Sequence, residues 1–138
     1  VSETPPPRRL LASIGAVLAG FLATFVLSIA TDAALHAAGV FPALGQPMAD
    51  SLFVLATAYR IAYTVAGGWV TGRLAPHRPM AHAMALGAIG LVAATAGAVA
   101  TWRRLPEIGP AWYPIALIVL ALPCVCAGAR LRQRQLSR

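Results

Sequence analysis

The chain has 138 residues, of which 59% are hydrophobic and only 11% charged. A soluble domain usually carries about 25% charged residues, so this composition leaves too little polar surface to face water and points to an integral membrane protein. The net charge of +7 comes from eleven arginines and no lysine; they flank apolar runs, where they orient membrane helices, and form no patch interleaved with exposed aromatics, which excludes a nucleic-acid partner.

The chain opens with VSETPPPRR, residues 1–9, a polar cytoplasmic tail that Pro5, Pro6 and Pro7 should hold extended. The lack of Met at position 1 fits a processed or trimmed N-terminus. The apolar run that follows is longer than the roughly 7–15 residues of a signal-peptide core. It reads as a retained first transmembrane helix over about residues 10–38. Within it Ala16, Gly20, Thr24, Ser28, Asp32 and His36 recur every fourth residue. Four of these are small, the pattern that lets two membrane helices approach closely.

Gly39 to Asp50 is a loop broken by Pro42 and Pro47. The second helix, about 51–74, carries Arg60 deep in an otherwise apolar stretch. A guanidinium at that depth must find protein, water or a carboxylate. Helical periodicity puts Ala56, Thr57, Tyr63, Thr64, Gly67, Gly68 and Thr71 on the face of Arg60. Leu55, Ala58, Ile61, Ala62, Val65 and Trp69 fall on a lipid-facing side.

A short APHRP linker makes the second and third helices neighbours. The third, about 80–101, has a seam of Ala83, Gly87, Gly90, Ala94, Gly97 and Thr101 at period 3.5. A turn containing Trp102, Trp112 and Tyr113 reads as an interfacial aromatic group. The fourth helix, about 111–129, has a bulky aliphatic centre from Ile115 to Leu122 and is expected to be the most lipid-exposed. Residues 130–138 form a basic tail that suits anionic headgroups.

The expected fold is therefore all-α, an antiparallel bundle of four transmembrane helices. Arg8, Arg9, Arg73, Arg78 and the four tail arginines lie on one side, with only Arg103 and Arg104 opposite. That excess places both termini in the cytoplasm. Residues 67–90 (GGWVTGRLAPHRPMAHAMALGAIG), with the TDAALHAAGVFP stretch and the GPAWYP turn, resemble small uncharacterised bacterial four-helix membrane proteins. The resemblance implies a multi-pass protein of the bacterial inner membrane and implies no activity.

Asp32 and Arg60 are the sharpest pair in the sequence, one on each of the first two helices. Either they form a salt bridge that fixes helix register, or they floor an outward-facing polar site that His36, one turn from Asp32, and Tyr63 could join. Tyr59 and Tyr63 flank Arg60 and could hydrogen-bond a ligand, although such tyrosines more often fill space near an interface. His36 lies on the outer side and His77 and His82 near the cytoplasmic side, where they could share a ligand only if the turn between them folded back, so no metal or haem site is expected, and neither Cys124 nor Cys126 has a ligand set of useful spacing. No nucleophile triad, carboxylate pair or phosphate loop is present, so no cofactor and no enzymatic role are expected. The leading expectation is a non-catalytic accessory or assembly subunit, or a self-associating protein, with membrane lipids and other membrane subunits as partners. The alternative is a small transporter or ligand-binding protein with a pocket around Arg60, Asp32 and His36.

Overall fold

The computed structural model describes residues 6–138. It is a bundle of long helices: α1 (Pro7–Ala37), α2 (Asp50–Leu74), α3 (Pro79–Thr101), the short α4 (Leu105–Ile108) after one 3-10 turn, and α5 (Trp112–Leu136). The helical segments Pro7–Ala37, Pro79–Ile108 and Trp112–Leu136 are long and apolar enough to cross a membrane. α2 has the length, but Arg60 and its small and hydroxylated residues make it less apolar.

Two helix ends differ from expectation. Val1 to Pro5 of the expected tail lie outside the described residues. Pro6 is extended, whereas Pro7 is already helical. Proline at the first helical position loses no hydrogen bond and has the right φ, so Arg8 and Arg9 belong to α1. At the other end α5 does not stop at Ala129 but runs to Leu136, because Arg, Leu and Gln are good helix formers. Pro123 lies inside α5 without ending it.

α2 is the hub. On one side it meets α1 through small residues and hydroxyls: a Cβ on Gly20 would lie 2.6 Å from the Gly67 carbonyl oxygen. Thr71 is fully buried and donates to the Ala16 carbonyl at 3.1 Å. Thr24 lies within 3.2 Å of the Tyr63 carbonyl. Contacts pair residue 16 with 71, 20 with 67, 24 with 63 and 32 with 60, so they step in opposite directions along the two helices.

The expected lipid face of α2 is only partly open: Leu55, Ala58 and Ala62 are exposed, but α5 packs against Val65, Gly68 and Trp69. This also overturns the expectation that the last long helix is the most lipid-exposed. A Cβ on Gly68 would collide with the Val125 carbonyl, and one on Gly128 with the Val65 carbonyl. The adjacent glycines of α2 thus serve opposite neighbours, Gly67 toward α1 and Gly68 toward α5. Val65 and Trp69 are partly covered, and Trp69 donates its indole N–H to Gln135 at 2.9 Å.

α5 is also the most buried of the three apolar segments. One third of its most apolar stretch (33%) is buried, against 11% for α1. Its aliphatic residues Ile115 and Val119 do face outward. Ala121, Cys124, Val125, Gly128 and Ala129 form the opposite, buried face. α3 packs chiefly on α5 rather than on α2. Gly87 abuts Leu122, and Ala83 and Leu86 form the core with Val125 and Ala129. The seam of α3 is filled only at its start. Ala83 and Gly87 are buried, whereas Gly97 has no neighbour within 4 Å of where a Cβ would stand.

One end of the bundle gathers arginines. Gly72 lies against Ala129 and Arg132, and the Arg73 guanidinium sits 5.5 Å from the centre of the Trp69 ring. The α2–α3 turn at this end places Arg78 in the left-handed region, φ 43°. That fold-back brings the His77 and His82 rings to 5.2 Å, edge to face.

Candidate binding cleft around Asp32 and Arg60

At the end away from the arginine cluster, α1 and α2 converge on a single carboxylate. Asp32 lies one helical turn beyond Ser28 on the stripe of α1 that faces α2. Arg60 Nη2 donates to Asp32 Oδ2 at 2.5 Å. Tyr59 donates its hydroxyl to the other oxygen, Oδ1. Two consecutive residues of α2 therefore bracket the acid. Among the described residues this is the single ion pair, and Glu107 makes none with Arg103 or Arg104.

The pair is not sealed. Both side chains are 29% exposed. They line an open cleft of about 220 Å3 together with Tyr59, Tyr113, His36 and the loop from Phe41 to Gln46. Among the described residues Arg60 makes one side-chain hydrogen bond, although a guanidinium has five N–H donors. Its Nε is buried without a partner, a state that costs about 1–3 kcal/mol for a polar group.

His36 lines the cleft but does not reach Asp32. The chain turns back after α1, and His36 Nδ1 donates to the Pro42 carbonyl at 2.7 Å. A carbonyl only accepts, so Nδ1 carries a proton. Edge contact with Phe41 at 5.4 Å holds the ring. His36 thus shapes the loop that forms the cleft rim.

Tyr63, one turn along α2 from Tyr59, is likewise separate from the acid. Its hydroxyl is 2.8 Å from Thr31 Oγ1, and its ring lies 5.8 Å from that of Tyr59. It buttresses the cluster through Thr31, the residue before Asp32. Three side chains join the cleft that the sequence did not mark for it. Tyr59 is an acid ligand rather than a space-filler. Tyr113 lines the cleft beside Arg60, and Phe53 packs on it at 5.0 Å. Gly109 leaves room for the Phe53 ring. Spacing gave a usable signal for Tyr59, adjacent to Arg60. Tyr113 carried none, since nothing local places α5 against α2.

Chemically the cleft offers hydrogen-bond donors around one compensated charge pair. Each oxygen of the carboxylate accepts one hydrogen bond, from Arg60 and from Tyr59. Among the described residues no three His, Cys, Asp or Glu side chains come together as a metal set. Comparison with known proteins finds no matching family model, no similar curated protein and no similar solved structure.

Proposed function

We propose that this chain is a non-catalytic, multi-pass membrane protein that binds a small molecule in the cleft around Asp32 and Arg60. One observation carries the reading: the ion pair is left partly exposed at the floor of an open cleft instead of being closed off. A salt bridge kept only to fix helix register gains nothing from such an opening, since water access weakens it. A site that recognises a ligand needs it.

On this reading the protein makes four antiparallel crossings of a bacterial inner membrane, with the arginine-rich end in the cytoplasm and the cleft facing outward. The distribution of arginines supports that orientation. α2 spans 25 residues, roughly 37 Å by helical rise, enough for a hydrocarbon layer about 30 Å thick. Its charge is compensated by Asp32, which is what makes a crossing tolerable.

The test is purification in mild detergent followed by thermal unfolding against a panel of small molecules. Saturable stabilisation by one chemical class, lost in Asp32→Asn, supports the reading. A stable heteromeric complex in which no compound shifts the unfolding temperature would replace it with the accessory-subunit role.

A further inference from the structure

α1 packs chiefly on α2, and α3 on α5, so the two helices that start at the arginine-rich end leave a seam between them. In that seam lies a groove of about 430 Å3, which shares no lining residue with the Asp32 cleft. Ile14 and Leu18 of α1 form one wall and Ala85 and Ile89 of α3 the other, while Ser13 and His82 are its polar lining. The groove opens outward, for Ile14, Leu18 and Ile89 are 48%, 52% and 44% exposed. Both walls belong to helices apolar enough to cross a membrane, so the groove opens to hydrocarbon. From Ala81 to Ile89 it follows α3 for roughly 12 Å by helical rise. That is most of one leaflet of a layer about 30 Å thick. Left empty, such a slot forfeits dispersion contacts along its lining, and the material beside it in a bilayer is an acyl chain.

The head of that chain is selected by what stands at the groove's polar end. One helical turn beyond Ser13 on α1 is Arg9, and four residues before His82 on α3 is Arg78. Arg9 leans toward the N-terminus of α1, as helical side chains do, which is toward the membrane surface. His82 Nδ1 donates to the Arg78 carbonyl at 3.2 Å and ties the α3 wall to the turn that carries this arginine. Both arginines are exposed, and neither makes an ion pair among the described residues. Among those residues this whole end carries no acid, since Asp32, Asp50 and Glu107 all lie toward the other end. A zwitterionic headgroup would bring its ammonium into a positive field with no carboxylate to receive it. An anionic one brings only charge that the arginines attract. Arginine bias orients any membrane protein, but at the mouth of an apolar groove it also lets a phosphodiester and its tail be held together. We infer that the groove between α1 and α3 seats one acyl chain of an anionic phospholipid, with the headgroup phosphate at Arg9 and Arg78. The inference does not rest on the Asp32 cleft being a ligand site.

The probe is phosphatidylglycerol, added to the whole chain in mild detergent and followed by thermal unfolding. Phosphatidylcholine with the same acyl chains and inorganic phosphate are the comparators. Phosphatidylglycerol is expected to raise the unfolding temperature saturably, and the other two to leave it unchanged. An arginine beside an anionic headgroup is worth roughly fivefold in binding, so Arg9→Gln combined with Arg78→Gln should lower the apparent affinity more than about tenfold. Ala85→Phe, at an exposed position, fills the groove and should lower it comparably. Arg134→Gln combined with Arg138→Gln removes the same charge from the same end, away from the groove, and should change it little. Asp32→Asn should leave the lipid response intact. Equal losses in the two arginine pairs would overturn the inference in favour of a general attraction to the basic end. A full response in Ala85→Phe would unseat the acyl chain, and an equal response to phosphatidylcholine would overturn the headgroup. Stabilisation by inorganic phosphate would put a free anion in place of the lipid, and a response lost in Asp32→Asn would move the lipid to the other cleft. Should Ala85→Phe fail to fold, Ala81→Leu narrows the same groove and decides in its place. No response to phosphatidylglycerol at all would remove the site.

Discussion

Gly20 and Gly67 face one another across the α1–α2 interface, each standing where the other's backbone leaves no room for a side chain. A Cβ on Gly20 would lie 2.6 Å from the Gly67 carbonyl oxygen, and a Cβ on Gly67 would lie 2.7 Å from that of Gly20. In hydrocarbon, where apolar surface gains nothing by leaving lipid for a neighbour, such close backbone approach is what holds two helices together. The contact sits between the Thr71–Ala16 and Thr24–Tyr63 pairings, so it sets the spacing of both.

The first prediction follows from that geometry. Gly67→Val should lower stability by about 1–3 kcal/mol or more, as overpacking does. Gly15→Ala should be neutral or stabilise by about 0.5–1 kcal/mol, because Gly15, on α1 with Gly20, has nothing within 4 Å and alanine is the better helix former. Chemical unfolding in mild detergent, read by circular dichroism, compares the two. Equal effects would show that glycine content, and not contact, matters here.

The second prediction concerns the bracketed carboxylate. Tyr59→Phe should cost about 1.5–3 kcal/mol, the range for a hydrogen bond to a charged group. Asp32→Asn and Arg60→Gln should each be more damaging than the pair together, since either alone leaves one charge without its partner. A double-mutant cycle on unfolding free energies gives the coupling directly. The exchange Asp32→Arg with Arg60→Asp should recover only part of the stability. The Tyr59 hydroxyl would then face a guanidinium, which offers no acceptor.

Much of this was legible before any coordinates. The every-fourth stripe on α1 does face α2: Ala16, Gly20 and Ser28 are buried and Asp32 meets Arg60. Those residues were readable because a charge in hydrocarbon has few permitted solutions. The place of α5 was not readable. Ile115 and Val119 look like outward-facing residues and are exposed, while the opposite face hides Ala121, Cys124 and Gly128 behind the same average hydropathy. Nor does periodicity distinguish Gly67 from Gly68. Residues one apart differ by about 100° around a helix, and both suit close packing, so choosing their partners requires knowing which helices are neighbours. His36 lines the cleft, as its spacing suggested, but does not join the acid, for a similar reason. Its spacing from Asp32 is right for contact along a helix, but the loop carbonyl of Pro42 competes and wins.

The third prediction tests the buried face of α5. Gly128→Val should destabilise by about 3 kcal/mol or more, at the upper end for overpacking, because the new side chain would meet the α2 backbone at Val65 rather than a movable side chain. Val119→Leu, on the exposed side of the same helix, should change stability by less than about 0.5 kcal/mol. If the two substitutions behave alike, α5 does not pack on α2 as described.

The fourth prediction concerns orientation in the membrane. Gln46 is exposed in the loop at the cleft rim, and Ser137 is exposed just beyond α5 at the arginine-rich end. Single cysteines there, in a chain whose Cys124 and Cys126 are replaced by alanine, report the two faces. In intact spheroplasts Gln46→Cys should react with a membrane-impermeant maleimide, and Ser137→Cys only after the membrane is opened. The reverse pattern would put the cleft in the cytoplasm and its ligand with it. Labelling of both positions from outside would mean an even number of crossings between them, and since α3 and α5 are both apolar enough to span, the helix to reconsider would then be α2. Its Arg60 would have to lie at an interface instead of within the hydrocarbon layer, where a guanidinium snorkels at little cost.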